Sequence, residues 1–62
     1  MLNETHIPSR AYAARNIEDV TEDTFIPRYA AVDVIDYDRC NKIYFVEYEG
    51  KIFSAAAEEL NP

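Results

Sequence analysis

A small, mostly β domain is what this chain predicts, and three features carry that expectation. Two stretches, Tyr29 to Tyr37 and Lys42 to Glu49, are rich in valine, isoleucine, tyrosine and phenylalanine, residues that suit a pleated, half-buried surface. The lone glycine, Gly50, directly follows the second stretch, where a tight hairpin needs a positive φ. The second stretch also places Tyr44, Val46 and Tyr48 on one face, with Ile43 and Phe45 on the other before Glu47 and Glu49 take over. A flat sheet with one wet face does not need that pattern. It suits a strongly bent meander covered on both sides over its first half, as in a small barrel, or a sheet with a helix across it.

In chain order, residues 1–8 lack periodicity and end in Ile7-Pro8, where proline biases its predecessor toward an extended backbone; they read as a loose arm ahead of one domain over residues 9–62. From Ser9 to Val20 two readings stand. Ser9 can cap a helix in which Ala13, Ile17 and Val20 share a face, and Arg10 to Ile17 can instead form a short strand. The tract Glu18 to Thr24 is polar and acidic and reads as a loop, followed by Phe25-Ile26-Pro27 as an extended apolar tether. Tyr29 to Tyr37 is a strand, Asp38 to Asn41 a turn, Lys42 to Glu49 the next strand, and a third antiparallel strand starts at Lys51. The run Ser54 to Leu60 is expected to make a single helical turn capped by Ser54, with Leu60 folding back on the core. On these residues alone the alternative is an α+β domain with an N-terminal helix packed on a three-stranded antiparallel sheet.

Composition narrows the function. A chain of 62 residues holds one domain with a thin core, since chains this short bury only about 60% of the surface they expose when unfolded. Self-association is one way to add stability, so a homodimer is an expected form. The apolar fraction of 48%, with five tyrosines and three phenylalanines, marks a folded chain and not a disordered one. No apolar run reaches the 18 or so residues of a membrane span, and Met1 to His6 has no basic flank or apolar stretch. A soluble, cytoplasmic protein without a membrane partner is expected.

Twelve acidic residues against six basic ones give a formal charge of −6, a field that repels a phosphate backbone unless the basic groups gather on one face. Arg10, Arg15, Arg28, Arg39, Lys42 and Lys51 are instead scattered singly. Direct nucleic-acid binding is therefore disfavoured, and a protein with a basic surface is the natural complement.

The means for catalysis are scarce. Cys40 is the only cysteine and His6 the only histidine, so a disulfide framework and a cysteine–histidine zinc site both lack members. Asp33, Asp36 and Asp38 do not follow the spacing of a calcium loop, and one glycine cannot build a phosphate-binding loop. Paired acids such as Glu47 and Glu49 share a strand face, but nothing in the sequence marks a cleft that would raise a carboxyl pKa. No enzyme activity, cofactor or metal is expected.

The stretch from Tyr12 to Pro62 resembles the Src-homology-3-like small barrels, a superfold that includes Tudor-like and many short bacterial and phage domains. The matching pieces are Ala11 to Arg15 as a first strand, Thr21 to Phe25 in a long acidic loop and Val32 to Asp36 as a second strand. Tyr44 to Lys51 then matches as a hairpin and Ala57 to Leu60 as the closing turn. The resemblance implies a barrel of antiparallel strands with a short C-terminal helical turn, and makes Arg10 to Ile17 a strand. Peptide-binding members use a tryptophan after the second strand and a proline before the last turn; this chain has no tryptophan and carries Ala56 near the proline position. It therefore does not imply polyproline recognition.

The working part is expected to be the exterior. Tyrosine is a frequent anchor at protein interfaces, and Tyr29 and Tyr37 are expected to lie exposed beside Asp33, Asp36, Asp38, Glu47 and Glu49. The expected function is a non-enzymatic protein-interaction module that binds a basic host protein. Size, acidity and the resemblance together suit a small regulator or inhibitor of the kind that phages and mobile elements encode. Two alternatives follow from the same surface: a nucleic-acid mimic that blocks a DNA-binding protein, and a small barrel that binds nucleic acid through its aromatic residues.

Overall fold

The computed structural model describes residues 9–19 and 23–62. The arm expected over residues 1–8 and the part of the acidic tract at 20–22 lie outside the described residues.

The chain forms β1 (Arg10–Ala13), β2 (Ile17–Asp19), β3 (Thr24–Ile26), β4 (Ala31–Asp38), β5 (Ile43–Tyr48) and β6 (Lys51–Ala56). A 3-10 turn at Ala57–Glu59 then leads into β7 (Leu60–Asn61). All pairings are antiparallel. Five strands make one sheet in the order β6-β5-β4-β1-β7, and β2 pairs with β3 as a separate hairpin. The large sheet curls into a half-barrel. Part of the curl comes from β4, whose register to β5 slips between Val34 and Asp36; the extra residue, Ile35, is a β-bulge, which bends its strand and raises the local twist.

The sheet buries one face. Ala11 and Ala13 of β1, Val32 of β4, Tyr44 and Val46 of β5, Phe53 and Ala55 of β6 and Leu60 of β7 form one apolar cluster. Ile17 and Ile26, directly opposed across the β2–β3 hairpin, complete it.

Tertiary pairing decides residues 10–13 and 17–19 in favour of strands. Alanine-rich though it is, β1 alternates exposed Arg10 and Tyr12 with buried Ala11 and Ala13, and it hydrogen-bonds on one side to β4 and on the other to β7. A strand paired on both edges outweighs intrinsic helix propensity, so neither the helix nor the α+β alternative forms. The strand breaks at Ala14, whose N–H donates to Glu59 O at 2.8 Å, and Asn16 Oδ1 then accepts from Arg28 N at 2.9 Å. Phe25 and Ile26 are not a tether but part of β3. Ser54 does not cap a turn; it lies in β6, and the Glu59 carboxylate accepts from Ala56 N at 2.9 Å in its place. Leu60 is fully buried, as its position after the turn requires.

Both remaining hairpin turns use positive φ. Glu49 and Gly50 (φ +50° and +78°) form the two-residue connection between β5 and β6; paired positive values give the primed turn whose twist matches the strands. Between β4 and β5, the turn ends at Lys42 (φ +56°).

Candidate functional site

The register of the central strands lays out the outer face of the sheet residue by residue. Asp33 of β4 faces Glu47 of β5, which faces Ile52 of β6; Asp36 faces Phe45, which faces Ser54; Asp38 faces Ile43, which faces Ala56. All nine point away from the apolar cluster. Acids thus run down β4 and continue to Glu47 at one end of β5, while the rest of β5 and β6 presents the uncharged Ile43, Phe45, Ile52, Ser54 and Ala56. Ile35, bulged beside Asp36, is 50% exposed and Ile52 is 59% exposed, while Ile43 and Phe45 are half-buried. Among the described residues no second layer lies over this face. On the first half of β5 the inner side is fully buried and the outer side, at Ile43 and Phe45, half-buried.

Four of the expected site residues, Asp33, Asp36, Asp38 and Glu47, are brought together here. Asp33 and Glu47 are directly opposed, a like-charge arrangement that is destabilising in an antiparallel pair. Arg10, opposite Asp33 on β1, places Nε 3.4 Å from its carboxylate; both groups are more than half exposed, so the ion pair contributes at most about 1 kcal/mol. Asp36 Oδ1 accepts from the N–H of Tyr37 at 2.8 Å.

Asp38 has a structural duty as well. Its carboxylate accepts from Cys40 N at 2.9 Å, from Asn41 N at 3.3 Å and from Asn41 Nδ2 at 2.8 Å, the self-bonding by which aspartate starts turns. The side-chain bond from Asn41 is the first cause holding its pKa below the ordinary 3.8, with the backbone N–H groups of Asn41 and Cys40 adding to it. A depressed folded-state pKa stabilises the fold above the unfolded value and loses that stabilisation as pH falls through the folded one. Urea titrations of wild type and Asn41→Ala should therefore differ more at pH 7 than at pH 2. An equal difference at both would show that the carboxylate does not set this turn.

The other three predicted residues lie elsewhere. Tyr37, expected exposed, is half-buried on the inner side, its ring centroid 4.3 Å from that of Tyr44 at a tilt of 31°; the bulge at Ile35 shifts the alternation and turns Tyr37 inward. Glu49 is exposed in the β5–β6 turn, and beside it Tyr48 has its phenol pKa raised, first by burial and then by the Glu49 charge and hydrogen bond.

Tyr29 is 70% exposed, but its near neighbour is a cation: the Arg28 guanidinium lies 4.8 Å from its ring centroid. It sits in a turn closed by Ala30 N donating to Pro27 O at 3.1 Å, with its own N–H on Ala13 O at 2.8 Å. Its φ of +74° marks the third position of a type II turn, where glycine or asparagine is favoured. Tyr29→Asn introduces a residue that tolerates that backbone, so thermal unfolding should show a gain of about 1 kcal/mol. A loss would mean that the ring over Arg28 outweighs the backbone strain.

Ile35, Phe45 and Ile52 are the neighbours that sequence reasoning left out of the site. Phe45 was legible as the second face of its strand; Ile35 was not, because a bulge has no signature in alternation. A depression of about 280 Å³ at the hairpin end is lined by Glu18, Asp19, Asp23, Thr24 and Phe25. Cys40 is exposed in the β4–β5 turn. Among the described residues, no three His, Cys, Asp or Glu side chains are grouped to hold a metal ion, and no helix is long and apolar enough to cross a membrane.

Fold and face together define a small antiparallel β half-barrel with a two-toned outer surface, acidic along β4 and at Glu47 of β5 and otherwise uncharged on β5 and β6. Comparison of the chain with family models, characterised proteins and solved structures found no match.

Proposed function

We propose that the protein is a non-enzymatic protein-interaction module of the Src-homology-3-like small-barrel kind, and that it acts by docking a protein with a basic surface onto its outer face. The observation that carries this reading is the convergence of Asp33, Asp36, Asp38 and Glu47 on one face of β4 and β5, with a cross-strand carboxylate pair that costs folding energy. Complementary potentials steer and orient a partner of opposite charge. A role as a small cytoplasmic regulator or inhibitor, of the phage or mobile-element type, accords with the chain's size and its charge of −6.

Affinity capture from host lysate tests it, with wild type and Asp36→Asn/Glu47→Gln as paired baits. Both substitutions keep side-chain shape and remove charge. A basic protein enriched about fivefold or more on wild type is the expected result; no protein separating the two baits overturns the reading.

A second reading, phosphate mimicry, draws on the run of Asp33, Asp36 and Asp38 along a single strand. It requires the protein to displace duplex DNA from a DNA-binding protein in a strongly salt-dependent way. Displacement unchanged by salt removes it.

A further inference from the structure

The acidic run accounts for only half of the outer face. On the other half, Ile43 and Phe45 of β5 are followed on β6 by Ile52, Ser54 and Ala56, none of them charged. Ile52 at 59% exposure and the bulged Ile35 at 50% flank Phe45 with exposed apolar surface. Scattered exposed apolar residues need no explanation, but contiguous ones rimmed by charge mark an interaction surface.

We infer that this face receives a basic amphipathic segment of a partner protein. Its apolar side chains seat on Ile35, Phe45 and Ile52, and its lysines or arginines lie along one flank, over Asp33, Asp36 and Glu47. The inference rests on the proposed function and specifies the partner's chemistry.

Three observations select this occupant. Charge is segregated by strand: β4 contributes three acids to the face, β5 only Glu47, and the outward positions of β6 none. A partner matching it must be two-sided in the same sense, basic on one flank and apolar on the other. A second copy is a poor fit, because it would bring the same acids of another chain of charge −6 against this face. Dimensions agree too: three strands span about 10 Å and the stretch from Asp33 to Asp38 about 16 Å, close to the width and length of a helix of three turns. Such a contact is below the size of a standard interface, so affinity should be modest and peptides should reproduce it.

The test is fluorescence anisotropy with two synthetic 18-residue peptides of the same leucine and lysine composition. In one the residues are ordered to give a helix with an apolar stripe, and in the other they are scrambled to remove the stripe. The protein is used as wild type, as Ile35→Thr/Ile52→Thr and as Asp36→Asn/Glu47→Gln. The threonines preserve β-branching, and circular dichroism checks that each variant is folded.

The amphipathic peptide should bind wild type at least about tenfold more tightly than the scrambled one. Ile35→Thr/Ile52→Thr should abolish that preference while leaving the scrambled peptide's affinity unchanged. If the two peptides bind alike and only the charge-neutralised variant weakens them, the inference falls and the acidic docking surface stands. If neither peptide binds wild type, both fall.

Discussion

Tyr44→Ala should leave the protein unfolded at 25 °C, with no cooperative urea transition. Tyr44 is fully buried in the middle of β5, paired with Tyr37 on β4 and Ala55 on β6, and its ring lies on that of Tyr37. Truncating a buried aromatic to alanine costs about 3 to 5 kcal/mol, through lost transfer energy and the cavity left behind. A single core in a chain of this size supplies about 3 to 5 kcal/mol in total. The substitution therefore removes the whole margin. Tyr12→Ala provides the contrast: Tyr12 lies on the outer side of β1 at 49% exposure, and its loss should cost under about 1 kcal/mol. If Tyr44→Ala keeps a sigmoidal transition and loses less than about 1.5 kcal/mol, then the ring is not the centre of the core.

Tyr44 also shows how far the sequence could be read. Its partnership with Val46 on one face follows from period-two alternation alone, and both are fully buried. The hairpin at Gly50 and the start of β6 at Lys51 follow as directly, because only one residue in the chain takes positive φ without steric cost. Two features lay beyond local pattern. Residues 10–13 spell a helix by propensity, and what makes them a strand is pairing with β4 and β7, segments remote in the chain. The bulge at Ile35 reverses the alternation midway along β4, so acids at odd and even positions, Asp33 and Asp36, reach the same face while Tyr37 turns inward. The acidic half of the site was thus readable as composition, but its gathering on one face, and its apolar neighbour, required the register.

The hairpin Ile17–Ile26 supplies the second large effect. Of its described residues only Ile17 and Ile26 are buried; Glu18 and Phe25 are exposed, and Asp19 and Thr24 are half-buried. One cross-strand isoleucine pair therefore anchors this element to the sheet, where β2 packs against β6. Because that pair belongs to the same cluster as Val46, Phe53 and Leu60, removing it exposes the inner face of the half-barrel as well as loosening the hairpin. Ile26→Ala should accordingly lower global stability by about 2 to 5 kcal/mol. Native-state hydrogen exchange should show amides of β5 and β6 losing protection together with those of β2 and β3. The competing outcome is faster exchange confined to the hairpin, with the thermal midpoint of the sheet unchanged. That result would make the hairpin an independent flap and the curled sheet self-sufficient, contrary to the single shared core on which the domain's cooperativity depends.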